Sequence, residues 1–359
     1  MSVIEVYDLL TERRRTSDAR LAAFVEALEK EIPEHERGEL IGDHTCIYAV
    51  GSGGRGELAP HSDLDIFLVK HGEPRRIDEI RLQSAVLRAL RSQGFEDPSN
   101  DAHFLKLHGA RTLIERLGEP RDDSENTFTV RMLLLLESRA LVGASAHAEL
   151  TGKALDAYWK NTAVHGSDYL PIILLNDIVR YWRILLLNYE SKTADKQRRL
   201  DAAHGDSDSP ERVRAQLELD GDRQLRSYKL RFSRCLMCYS SISYLLAEAW
   251  ATQAESQRAN VTRESVEAMV RLTPQGRLGY AISRASAIPR VPEIGAELTA
   301  LYAGFLQDSA RSKAELRAVF IDRRARRPLF QAAKDFGEKM YELIEALGKD
   351  NPLFRYLVV

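Results

Sequence analysis

The period of the apolar positions changes along this chain, and each change marks an element. From Val3 to Ile32 the residues Leu9, Leu10, Leu21, Phe24, Val25 and Leu28 recur at helical spacing, which predicts a long helix with one buried stripe. Cys46 to Val50 is short, apolar and β-prone, a strand that breaks at once into Gly51, Gly53, Gly54 and Gly56. After Pro60-His61 a second strand is expected from Ser62, then an amphipathic helix over Ile77 to Gln93 and a third strand over Ala102 to Leu107. From about Leu113 helical periodicity dominates, with helices over Asn176 to Tyr189 and Leu225 to Trp250. Asp201 to Pro210, rich in Asp, Ser, Gly and Ala, is expected to be an exposed flexible loop between them. The last helix carries Phe330, Ala333, Phe336, Met340, Leu343, Ile344 and Leu347 as a stripe that serves as core or as a homodimer surface, and Phe354 to Val359 is a docking apolar tail. The fold class is therefore α+β, a small mixed β-sheet domain over 1–150 followed by an all-α domain over 151–359.

Composition narrows the functional classes. With 359 residues, 44% hydrophobic and 29% charged, the chain can bury two cores. A formal charge of -2 gives no electrostatic argument for a nucleic-acid substrate. The first thirty residues include Glu12-Arg13-Arg14-Arg15 and do not read as a secretory signal, and no apolar run reaches membrane-spanning length, so a cytoplasmic location without a membrane partner is expected. The 3 cysteines argue against a disulfide framework, and Cys235-Leu236-Met237-Cys238 lies in an apolar helix as packed thiols. His165-Gly166-Ser167-Asp168 reads as an interhelix turn, and Arg323-Arg324-Ala325-Arg326-Arg327-Pro328 as a solvated linker before a helix.

The chemistry concentrates in Gly51-Ser52-Gly53-Gly54-Arg55-Gly56-Glu57 and Ser62-Asp63-Leu64-Asp65. Glycines after a strand let successive backbone N–H groups turn toward one point and let an anion approach closely, and Ser52 adds a hydroxyl. Strand alternation sets Asp63 and Asp65 on one face with Leu64 on the other. Two carboxylates that close call for a cation between them, and Mg²⁺ binds one or two carboxylates and completes its shell with phosphate oxygens and water.

Gly54-Arg55-Gly56-Glu57-Leu58-Ala59-Pro60-His61-Ser62-Asp63-Leu64-Asp65 resembles the signature of the DNA polymerase β superfamily of nucleotidyltransferases, and most closely that of bacterial PII-protein uridylyltransferases. The likeness extends to an apolar helix over Thr129 to Gly143 with a Leu-Glu-x-Arg ending, and thins beyond about residue 150. It implies that Asp63 and Asp65 hold two Mg²⁺ ions, Mn²⁺ being a substitute. It also implies that Ser52 and the backbone of Gly51, Gly53 and Gly54 hold the β and γ phosphates. Arg55 either binds phosphate or forms a strut with Glu57 or Asp65. A third carboxylate, as metal ligand and base, is expected on the third strand; of Glu96, Asp97 and Asp101 the choice is Asp101. Asn176, Arg180 and Arg183 share a helix face that could meet the nucleotide, and Lys229 could reach the γ-phosphate.

The implied reaction moves a nucleoside monophosphate from an NTP to an acceptor hydroxyl, with a protein as acceptor and pyrophosphate released. Transfer to a small molecule or an RNA 3′ end, or a non-catalytic nucleotide-sensing module, are the alternatives. Uridylyltransferases of this kind also carry a His-Asp hydrolase domain, and the chain contains no His-Asp dipeptide, so transfer is expected without built-in reversal.

Overall fold

The computed structural model describes residues 3–98, 105–160, 169–205 and 209–357. The first elements are α1 (Val3–Glu31), α2 (Glu34–Leu40), β1 (Thr45–Val50), α3 (Gly51–Arg55), β2 (Asp65–Lys70) and α4 (Arg76–Ser92). Next come β3 (Leu107–Gly109), α5 (Ala110–Glu115), α6 (Pro120–Ser124), α7 (Thr127–Glu137), β4 (Arg139–Val142) and α8 (Ala144–Tyr158). The remaining helices are α9 (Ile172–His204), α10 (Pro210–Lys229), α11 (Cys235–Ser256), α12 (Arg263–Arg271), α13 (Pro274–Arg284), α14 (Val291–Asp308), α15 (Lys313–Ile321) and α16 (Arg323–Gly348). Two bodies result, one from Tyr7–Ile173 with Asn260–Pro274, the other from Leu174–Ala259 with Gln275–Val359 and the chain's first residues. The division thus runs near Ile173 rather than at 150, because α8 packs on β1 and α12 packs on α7 and α8.

The first body is built on a mixed four-stranded sheet ordered β3-β2-β1-β4. β1 pairs antiparallel with β2 and β4, and β2 pairs parallel with β3. Alternation sends Ile47, Ala49, Ile66, Leu68 and Leu107 to one face, where they pack with Leu21, Phe24 and Leu28 of α1 and Leu82, Val86 and Leu90 of α4. The other face carries Tyr48, stacked on Phe67 at 5.7 Å and edge-on to His147 of α8.

Three strand expectations need adjustment. β2 begins at Asp65 rather than Ser62, because the Ser62 N–H donates to the Ala59 carbonyl at 3.0 Å and the Ala59 N–H to Ser62 Oγ at 2.9 Å, closing a turn. β3 starts only at Leu107, where pairing with Leu68 begins, and residues 102–104 of the expected strand lie outside the described residues. The expected apolar helix stops at Glu137, and Arg139–Val142 becomes the fourth strand, edged onto β1 with a register shift between Ile47 and Tyr48.

The second body is wholly helical among its described residues. α9 runs on through the expected loop as far as His204, where Arg212 pairs with Asp201 at 3.1 Å. The α10 and α11 helices are joined through a π-helical turn, Leu230–Arg234, whose Phe232 ring stacks on Phe305 at 4.9 Å and meets Phe336 at 4.9 Å. Phe336 belongs to the stripe of α16, so that stripe is core of this body. The arginine run Arg323–Arg327 is not a linker: it forms the first turns of α16, capped by Asp322, which accepts from the Arg324 N–H at 2.7 Å. Phe354 lies against Gly348 in a short 3-10 turn, Phe354–Leu357. All three cysteines are buried and outside any disulfide, and burial pushes the Cys46 and Cys235 thiols up to about 12. No described helix is long and apolar enough to cross a membrane. The His165–Asp168 segment lies outside the described residues.

Candidate active site

The glycine segment forms one short helix rather than an open loop. Val50 ends β1 extended, Gly51 turns at φ +63, and α3 stops at Gly56, φ +71. The Gly56 N–H donates to the Gly53 carbonyl at 3.2 Å and the Glu57 N–H to the Ser52 carbonyl at 2.8 Å, a Schellman-type stop that a glycine at Gly56 makes possible. Gly53 and Gly54 serve packing. A Cβ on Gly53 would stand 2.7 Å from Leu64 Cδ1, and one on Gly54 would stand 1.7 Å from the Glu137 carbonyl oxygen.

Gly51 faces the carboxylate. Val50 and Asp65 are cross-strand partners at the ends of β1 and β2, and a Cβ on Gly51 would stand 2.9 Å from Asp65 Oδ2. Asp63 and Asp65 are both exposed while Leu64 between them is buried, so the alternation expected of a strand persists although Asp63 precedes β2. Ser52, next to Gly51 in the chain, is half-buried at the first turn of α3. The connection between helix and carboxylates is anchored, since Arg20 donates to the Ala59 carbonyl and lies over the Phe95 ring at 4.2 Å.

Arg55 is buried in a charge network. Its Nε donates to Glu57 Oε2 at 2.6 Å and its Nη1 to Glu137 Oε2 at 2.6 Å, tying α3 to the end of α7. Both carboxylates are buried, and the Arg55 guanidinium bridges them. Of the two roles open to Arg55, the strut is the geometry present. Of the two strut partners expected from the sequence, Glu57 and Asp65, Glu57 is the one bonded here, and the second partner, Glu137, is invisible to sequence spacing because it lies 82 positions away.

Over 149 residues, 42% of the chain, the sequence is 34% identical to the bifunctional uridylyltransferase/uridylyl-removing enzyme of Bordetella pertussis (strain Tohama I). The match relates the chain distantly to nucleotidyl-transferring enzymes. It covers 14% of that protein's length. No protein-family profile matches the chain, and no solved structure does.

The remaining expected residues are dispersed. Asp101 lies outside the described residues. Asp97 is committed to Arg91 at 2.7 Å, a hydrogen bond that holds its carboxyl below the usual carboxylate range, and Glu96 is exposed. Arg180, 3.8 Å from Asp177, and the exposed Lys229 belong to the helical body, not to the body that carries Asp63 and Asp65. Among the described residues no three His, Cys, Asp or Glu side chains cluster closely enough to hold a metal by themselves.

The sheet face that carries Asp65 continues through Phe67 and Val69 to His108, Val69 and His108 being parallel partners. Burial, with Lys106 adding a smaller push, lowers His108 to about 4, and burial lowers His147 to about 4. Above that pH both rings are neutral in the folded protein. Between pH 6.5 and about 4 the unfolded chain takes up protons that these folded rings refuse, so their stability contribution is complete above that window and is lost as pH falls through it. The loss amounts to roughly 3 kcal/mol per ring across the whole window. Urea midpoints should fall between pH 7 and pH 5, and a His108→Asn/His147→Asn double variant should flatten that slope. An equal slope in the double variant assigns the pH dependence elsewhere.

Proposed function

We propose that the sheet-bearing body transfers a nucleoside monophosphate from an NTP to an acceptor hydroxyl on a protein, releasing pyrophosphate. The observation that carries this reading is the meeting of Gly51 and Asp65 at the paired ends of β1 and β2, which brings an anion-accepting turn and an exposed carboxylate pair to one place. Distant identity to a uridylyltransferase supports it.

Asp63 and Asp65 fit a Mg²⁺ that arrives with the triphosphate. Two exposed carboxylates leave coordination positions for phosphate oxygens and water, whereas a resident metal needs more protein ligands than the described residues bring together. When bound, such a cation neutralises the triphosphate and stabilises the leaving pyrophosphate. The chain's own groups then have separate tasks. Asp63 and Asp65 would hold the cation, while the Ser52 hydroxyl and the Gly51–Ser52 backbone would take phosphate oxygens. The Arg55 strut holds the C-terminal end of α3 in place, and the Arg20 anchor holds the connection that follows it. Asp101 remains the proposed proton acceptor from the attacking hydroxyl.

The test incubates the purified protein with Mg²⁺, host lysate and each of the four NTPs labelled at the α-phosphate. Label is expected on a protein with one base preferred, UTP being the first to try. Label on RNA or a small molecule instead would move the acceptor. No transfer of any label, or transfer undiminished in Asp63→Ala, would overturn the reading.

A further inference from the structure

The far end of α3 borders a second cleft. It encloses about 240 Å³ and is lined by Arg14, Gly54, Gly56, Arg139, Arg271 and Thr273, among others, all within the sheet-bearing body. Arg14 comes from α1, Arg139 from β4 and Arg271 from the end of α12, so three distant stretches of chain each bring an arginine to this lining. Gly56 is the platform on which two of them meet. A Cβ there would stand 3.8 Å from Arg14 Cγ and 3.9 Å from Arg139 Nη1.

The charge balance of this lining is one-sided. Its carboxylate, Glu137, is fully buried and already bridged to Arg55 at 2.6 Å. Arg139 pairs with Asp18 at 2.5 Å and Arg271 with Glu267, both from outside the lining, while Arg14 makes no ion pair among the described residues. Three arginines against one committed carboxylate make this lining basic, and the Arg14 charge is the one left for an anion to complement. Planar forks with several donors match the oxygens of a phosphate group better than a point charge does.

We propose that the Arg14–Arg139–Arg271 cleft binds a phosphate group, free or esterified, at a site distinct from the carboxylate pair. The two sites lie at opposite ends of α3, whose five residues span roughly 7 Å at a rise of about 1.5 Å each. Gly51 abuts Asp65 at one end and Gly56 abuts the arginines at the other. The inference does not rest on the transfer reaction.

Calorimetric titration at low, constant ionic strength tests it, with inorganic phosphate and phosphoserine as separate probes. The proteins compared are the full chain and its Arg14→Ala, Arg271→Ala and Asp63→Asn/Asp65→Asn variants. Arg14 and Arg271 are exposed, so their truncation leaves the core intact. Saturable binding of either probe, weakened at least tenfold in each arginine variant and kept in the double carboxylate variant, is the expected result, and the probe that binds more tightly identifies the source. Absence of saturable binding by both probes, or binding equally strong in the arginine variants, would overturn the assignment.

Discussion

Asp65→Ala should give a folded protein that no longer transfers nucleotide. Asp65 is exposed and sits at the first position of β2, so removing its carboxylate opens no cavity in the core and leaves the register with Val50 to be made by backbone groups. Thermal stability is expected within about 0.5 kcal/mol of the parent, as for surface positions in general. Transfer should fall by at least a hundredfold to a thousandfold, the typical cost of deleting one electrostatic stabiliser of a transferring group. Asp63→Ala should behave alike, because Leu64 rather than Asp63 carries the packing at this edge. A purified Asp63→Ala/Asp65→Ala protein that still turns over near the parental rate would remove this carboxylate pair from the chemistry.

Gly54→Ala should do the opposite, costing the fold before the chemistry. The new methyl carbon would fall 1.7 Å from the Glu137 carbonyl oxygen and 2.8 Å from the Ala49 carbonyl oxygen, and both are backbone atoms that cannot swing aside. α3 would have to lift off β1 and α7, straining the Arg55 strut as it went. Overpacking of this kind costs about 1–3 kcal/mol and exposing a buried ion pair about 3–5 kcal/mol, so loss of most of the cooperative urea transition is expected. Gly51→Ala makes the contrast. It meets a positive φ worth about 1–2 kcal/mol and a movable carboxylate, so it should fold and fail mainly in catalysis. If Gly54→Ala unfolds in urea at the parental midpoint, the packing account of α3 is wrong.

Part of this arrangement was legible in the sequence because local rules decide it. β1, the glycine break, the exposed Asp63 and Asp65 around a buried Leu64, and α4 follow from alternation and helical period over a few residues. The expected roles of Gly53 and Gly54 were phosphate contacts. The structure gives these glycines a packing reason that depends on Leu64 and on α7, which no local pattern reveals. β4 was hidden for the same kind of reason: Arg139-Ala140-Leu141-Val142 continues a strongly apolar helix in composition, and only pairing with β1 makes it a strand. The helix through Asp201 is the reverse case, where turn-prone residues are held helical by Arg212 and by continuity with α9.

The interleaving of the two bodies along the chain has a consequence for synthesis. Tyr7–Ile173 leaves the ribosome long before Asn260–Pro274, which completes the same body. At typical elongation speeds of about 5–20 residues per second, the intervening stretch of nearly ninety residues takes roughly 4–17 s. During that interval the nascent sheet lacks α12 on α7 and α8, and the cleft beside Gly56 lacks its third arginine. The carboxylate pair and its glycine turn are complete in sequence from the start. The polypeptide therefore passes through a stage that holds the reactive groups before it holds the last wall around them, and that stage is where a chaperone would find exposed apolar surface on α7 and α8.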